Sequence, residues 1–193
     1  MLRMPNTQTT LDIDWELCWS PYDEATYRAT LEYIQADDRI LDIGAGDFRL
    51  AERMAGIAQW VIGIEIQDNL MPREFRASNM TSIHADALTY PFPDGSTAGV
   101  LLMRHCRHFR QYAEKLKACG ARRLITNARW GMGVEEVDLN KLRESYASIE
   151  LGWYACWCGH TGFKPGLAEK ITPSIDCMIH EVFDCPICQS TGE

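Results

Sequence analysis

Between residues 39 and 126 the chain carries five short apolar runs, at 39–43, 60–65, 82–85, 99–103 and 123–126. Each is too short for a helix, and each is bounded by Gly, Pro, Asp or Asn punctuation or by a polar stretch. Most of the intervening segments have helical character. Leu50, Met54 and Ile57 fall on one face of the first, residues 69–77 predict a second helix, and residues 109–119 predict a third, ended by Gly120. Pro91, Pro93 and Asp94-Gly95 make a turn instead. Strands alternating with helices in this way predict a parallel sheet joined by right-handed crossovers.

The flanks read differently. Residues 1–19 are polar and acidic, with Trp15 and Trp19 one helical turn apart. Ser20-Pro21 predicts a helix start, with Asp23 and Glu24 near the positive end of the dipole. Tyr27, Leu31 and Ile34 continue it towards Asp37-Asp38. After residue 126 a helix is predicted over 134–148. Strands at 151–157 and 176–183 follow, with no clear helix between them, and an antiparallel pair is expected.

Composition narrows the functional classes. Nineteen Lys and Arg against 27 Asp and Glu give a net charge of −8, which argues against a protein that simply coats polyanions. The 193 residues suit a single domain with a core of its own. No apolar run approaches a membrane span, and the acidic N-terminal stretch does not resemble a signal peptide. The expectation is a cytoplasmic protein with reduced thiols and no membrane partner.

The first strand runs into Gly44-Ala45-Gly46, where glycines allow a tight turn and close approach of backbone to a ligand. Nineteen residues beyond Gly46 the second strand ends in Glu65, an acid placed to accept from ribose hydroxyls. A dinucleotide fingerprint would need a further glycine where Arg49 stands, which weakens an NAD reading.

On these residues the chain resembles the class I methyltransferases dependent on S-adenosylmethionine (SAM). Residues 40–46 resemble the first motif of that family, 62–65 the second and 84–88 the third. Residues 99–105 resemble its fourth strand and 123–126 its fifth. The resemblance covers roughly residues 20–183. It implies an α/β fold with a seven-stranded, mostly parallel sheet, helices on both faces and the last strand antiparallel. Within one domain, residues 1–37 would form an N-terminal helical segment and 38–150 the SAM-binding core. Residues 151–193 would form the antiparallel pair with a cysteine site. Gly44, Ala45 and Gly46 would line the methionine part of SAM, with Asp42 ordering the loop and Met103 beside it. Glu65 would bind the ribose, Ile66 would pack on the adenine, and Asp86 and the Ala87 backbone would meet its polar edge. Asp47-Phe48 departs from the small residues usual in the loop. Met103-Arg104-His105 departs from the run that holds a planar amino nitrogen, so methylation of adenine or glutamine amides is disfavoured.

Residues 104–129 contain eight Arg and Lys against Glu114 alone, a local charge of +7 that leaves −15 elsewhere. Ligands of open α/β sheets bind at the carboxyl ends of the strands. Arg104, Arg107 and His108 are therefore candidates to hold an anionic acceptor, and His105 a candidate base. The alternative for His105 is packing beneath a loop. Small anionic metabolites, RNA and protein all fit as acceptors. Trp15, Trp19 and Tyr22 could cover the cofactor or simply pack on the sheet.

Of eight cysteines, Cys156, Cys158, Cys185 and Cys188 form two close pairs. Two thiol knuckles suit the four soft ligands of structural zinc, and the second resembles a zinc-ribbon knuckle. Free thiols or a disulfide are the alternative, and His160, Cys177 and His180 are spare donors. The sequence thus reads as a SAM-dependent methyltransferase with structural zinc. Two other readings stay open: a non-catalytic module contacting protein or RNA through the zinc element, and an NAD- or nucleotide-dependent enzyme.

Overall fold

A computed structural model describes residues 19–104, 106–131 and 133–191. The chain begins with α1 (Glu24–Leu31), β1 (Arg39–Ile43), α2 (Arg49–Ala55), β2 (Trp60–Glu65), β3 (Met80–His84) and β4 (Ala98–Leu101). It continues with α3 (Phe109–Ala118), β5 (Arg123–Thr126), β6 (Glu135–Asp138), β7 (Gly152–Cys156), β8 (Thr161–Lys164), β9 (Ile179–Val182) and α4 (Pro186–Thr191). The first six strands form one sheet in the order β3-β2-β1-β4-β5-β6, in which only β6 is antiparallel to its neighbour.

Helices cover both faces. On one, Tyr27 of α1 and Leu50, Ala51 and Met54 of α2 pack with Ile40, Val61, Val100 and Ile125. On the other, Phe109, Tyr112, Ala113 and Leu116 of α3 pack with Leu41, Ile43, Ile64, Leu101 and Leu124. Adjacent strand residues face opposite sides, so the doubly covered central strands β1, β2 and β4 are apolar almost throughout. At the opposite edge from the ligand end, Arg123 pairs with the buried Asp38 at 2.7 Å, tying β5 to the residue before β1.

Four expectations are corrected. The sheet has six strands, not seven. Residues 134–148 are not a helix: Gly131 (φ 71°) turns the chain back, and β6 buries Val137 with Leu139 just beyond it, spaced two apart as a strand requires. Residues 69–77 hold only a 3-10 turn, Asp68–Leu70, because Pro72 lacks the amide a helix needs there. The first helix begins at Glu24, after Pro21, with Asp23 as its cap accepting from the Thr26 amide at 2.7 Å.

The closing strands bring the largest correction. They leave the main sheet and form a second one, β8-β7-β9. β7 and β9 run parallel, not antiparallel, and β8 is an unforeseen partner antiparallel to β7. The parallel pairing sets Cys156 beside Val182, so the segments after β7 and after β9 leave from the same end. An antiparallel pair would have sent them to opposite ends.

Arg129 joins the two sheets. Its guanidinium, 2% exposed, donates to both oxygens of Glu135 on β6 and both of Glu181 on β9 at 2.7–2.9 Å. Burial works against this cation, but the two carboxylates more than offset it and hold it charged.

Candidate functional site

A cavity of about 770 Å³ opens at the carboxyl ends of β1, β2, β3 and β4. Its floor is the loop between β1 and α2. Gly44 (φ 69°) and Gly46 (φ 59°) hold left-handed conformations that side chains resist, and so does Phe48 (φ 64°). The Phe48 ring is fully buried over Gly63 of β2, where an added Cβ would lie 2.3 Å from it, and it meets Phe75 at 5.3 Å. The small residue in β2 therefore makes room for the large one in the loop.

The loop amides are already engaged. Gly44 and Ala45 both donate to the Ile64 carbonyl, at 2.9 and 3.0 Å, and Phe48 donates to the Ala45 carbonyl at 3.0 Å. Gly46 donates to Glu65 Oε2 at 2.7 Å, while Glu65 Oε1 accepts from the Gln67 amide at 2.8 Å. A pyrophosphate site needs such amides pointing at the ligand, with no carboxylate among them. Here the Gly46 amide is taken by Glu65 instead.

Asp42 lines the same cavity, 4% exposed, and its Oδ2 has no hydrogen-bond partner. Burial, with the charge of Glu65 added to it, pushes its carboxyl up to about 7. Two acids facing one cavity favour a cationic occupant. Beside them are Ile66, 43% exposed, and Asp86, whose Oδ1 accepts from the Leu88 amide at 2.8 Å. Ala87 completes this wall. Lys115 fixes it from behind by donating to the carbonyls of Ala87, Leu88 and Tyr90 at 2.5–2.8 Å. Met103 Cε lies 3.4 Å from where a Gly44 Cβ would be.

Residues 19–23 also line the cavity. The Trp19 indole sits against Gly46, so close that a Cβ there would fall 2.1 Å from Nε1. The Tyr22 hydroxyl accepts from the Arg104 amide at 3.3 Å, and the Arg104 guanidinium lies over the Tyr22 ring at 5.0 Å. Trp15 lies outside the described residues.

The acceptor-side candidates divide. Arg104 and His108 line the cavity; Arg107 is exposed and does not. His105 lies outside the described residues. Four of the remaining cations of the segment are engaged elsewhere in the fold. Arg110 pairs with Glu114, Lys115 braces the β3–β4 loop, the half-buried Arg123 pairs with Asp38 and Glu136, and Arg129 is buried between Glu135 and Glu181. Tyr112, one turn beyond His108 on α3, also lines the cavity. The sequence reading missed it, although spacing by four on a helix that starts at the crevice was a usable signal.

The four paired cysteines come together, all sulfurs lying within 4.8 Å of one another. Cys156 and Cys185 each lie 3.5 Å from Cys188, and Cys158 lies 3.8 Å from Cys185. Sulfurs at zinc-ligand distance in a tetrahedron are about 3.8 Å apart, so the donor set suits a closed metal site. The Cys156 thiol donates to Cys158 and draws that thiol down to about 5, while burial lifts Cys188 to about 11. The spare donors stay out: Cys177 is exposed, and His180 Nδ1 is 2.8 Å from Glu144.

No family model matches the chain, and no curated protein does. Solved structures with similar folds include SAM-dependent methyltransferases. The YcgJ protein of Bacillus subtilis has 19% identity over 54% of this chain and 50% of its own, with a TM-score of 0.46. A dimethyladenosine transferase from Plasmodium falciparum has 17% identity over 54% of this chain and 41% of its own, with a TM-score of 0.47. A SAM-dependent methyltransferase from Mesorhizobium loti has 15% identity over 53% and 51%, with a TM-score of 0.42. The chain thus matches about half the length of these proteins or less. Among the described residues no helix is long and apolar enough to cross a membrane.

Proposed function

We propose that the chain is a methyltransferase that binds SAM in this cavity and takes an acceptor bearing negative charge. The observation that carries the reading is the acidic pair on the glycine loop: Glu65 accepting from Gly46, and the unpartnered Oδ2 of Asp42 beside it. The unpartnered buried carboxyl suits a nucleoside whose other end is cationic, and Arg49 standing where a dinucleotide fingerprint needs glycine counts against NAD. Asp42 would receive the ammonium group, and Glu65, with lone pairs left on both oxygens, the ribose hydroxyls. Ile66 and Asp86 would flank the base. When bound, SAM supplies an electrophilic methyl group on a sulfonium.

The chain's own part is then mainly positioning, which for an in-line displacement supplies most of the acceleration. Arg104 and His108 would orient an anionic acceptor from the β4 side of the cavity, and His105 would serve a proton-bearing one. Trp19 and Tyr22 restrict water at the mouth. Cys156, Cys158, Cys185 and Cys188 would hold zinc as a structural ion, since four protein ligands leave no open position for substrate.

Calorimetric titration with SAM, S-adenosylhomocysteine and NAD tests the reading. Wild-type protein is expected to bind the first two and not NAD, and Glu65→Ala to bind none. Binding of NAD alone would refute it. Affinity for SAM without methyl incorporation from any fraction of a cell extract would favour the non-catalytic module instead.

A further inference from the structure

The cysteine cluster and the cavity meet on opposite sides of one helical turn. The first turn of α3 carries His108 at its N-cap and Tyr112 a turn later, and both line the cavity. Between them Phe109, fully buried, faces the knuckle that holds Cys156 and Cys158. Gly159, with φ 96°, sits so close that an added Cβ would lie 2.8 Å from Phe109 Cβ and 3.1 Å from Cγ. On the same helix Glu114 accepts from the Trp157 indole at 3.3 Å and from Arg110 at 2.9 Å. The Arg143 guanidinium covers Trp157 from the other side at 3.9 Å.

We infer that Phe109 and Gly159 are positioning residues through which occupancy of the four-cysteine site sets the affinity of the cavity for its nucleoside ligand. The inference rests on the proposed SAM and zinc sites. Its physical basis is that the knuckle cannot shift without moving Phe109. Phe109 cannot move without carrying His108 and Tyr112, its neighbours in the same turn. A metal holding the four sulfurs fixes the knuckle; without it the sulfurs meet one another through contacts of 3.5–3.8 Å, weaker than metal–thiolate bonds. Coupling of this kind is reciprocal, since two ligands that each favour the same arrangement must strengthen one another by the same factor.

The test uses the full chain loaded with zinc, stripped with a chelator, and reloaded. SAM affinity is measured by calorimetry and zinc affinity by competition with a metallochromic indicator. About a tenfold loss of SAM affinity on stripping is expected, restored on reloading, with zinc held tighter by the same factor when SAM is saturating. The far-UV circular dichroism of the main sheet and helices should persist throughout. Gly159→Ala, which keeps all four cysteines, is expected to bind one zinc yet bind SAM about as weakly as the stripped protein. An unchanged SAM affinity after stripping would overturn the inference and leave the SAM site standing. Loss of the whole fold on stripping would overturn it as well, by reducing the metal to a general staple. Failure of the zinc-loaded wild type to bind SAM would instead refute the proposed function on which it is built.

Discussion

Asp42→Asn exchanges a buried ionisable oxygen for an uncharged amide of nearly the same shape. Burial, with the nearby charge of Glu65, raises the Asp42 carboxyl from 3.8 to about 7. In the unfolded chain this group ionises freely near pH 4. Its native pKa lies above its unfolded one, so its contribution to stability is fully present below pH 4 and is lost as the pH rises through 7. Linkage puts the whole loss at about 4 kcal/mol, of which about 2 to 3 kcal/mol falls between pH 5 and pH 8. The variant lacks this loss. Relative to wild type it should gain about 2 to 3 kcal/mol between pH 5 and pH 8, or roughly 5–10 °C in melting temperature for a chain of this size. Urea and thermal unfolding of both proteins without ligand, at the two pH values, measure it. Contributions from titrating groups that do not interact with Asp42 cancel in the comparison. SAM affinity should fall in the same variant, because the ammonium loses its anion. A stability difference that does not change with pH, or one favouring wild type at pH 8, would refute the reasoning about this carboxyl.

Three further outcomes follow from other parts of the structure. Gly46→Ala forces a side chain into a left-handed position and into Trp19, so SAM binding should weaken tenfold or more in calorimetry, with about 1–2 kcal/mol lost in urea unfolding. Cys185→Ser removes one of four sulfurs, and metal analysis should fall from about one zinc per chain to a small fraction of that. Arg129→Leu leaves Glu135 and Glu181 facing one another without their cation; a loss of about 3 kcal/mol or more is expected at neutral pH, shrinking in acid as the carboxylates protonate.

The five parallel strands could be read from the chain because each is an apolar run with a clear stop, and a sheet covered on both faces demands nothing subtler. The glycine loop, Glu65 and Asp42 were legible for the same reason: their places are fixed by strand ends. β6 was not. Only Val137 and Leu139 face the core, and the acids at Glu135, Glu136 and Asp138 give the segment the look of a solvated helix. β8 is four residues long and contains a glycine. The direction of β9 depends on the path of residues 157–178, whose 3-10 turns leave no periodic mark. The basic segment misled in another way. Its +7 is a property of the chain, while Arg123 and Arg129 spend their charge inside the fold on Asp38, Glu135 and Glu181. The cysteine pairs were legible as one candidate donor set, but the geometry that unites them was not.

That geometry bears on the order in which the molecule matures. Cys156 and Cys158 follow β7, whereas Cys185 and Cys188 follow β9, and only the parallel docking of β9 on β7 carries the second pair to the first. A growing chain that has reached residue 158 holds two of the four sulfurs, too few for a closed tetrahedral site. On the proposed zinc site, high-affinity metal capture would therefore arise late, as a signature that the strand 179–182 has found its place. A nascent chain in which β9 docks in the wrong register would show itself as one that fails to retain zinc.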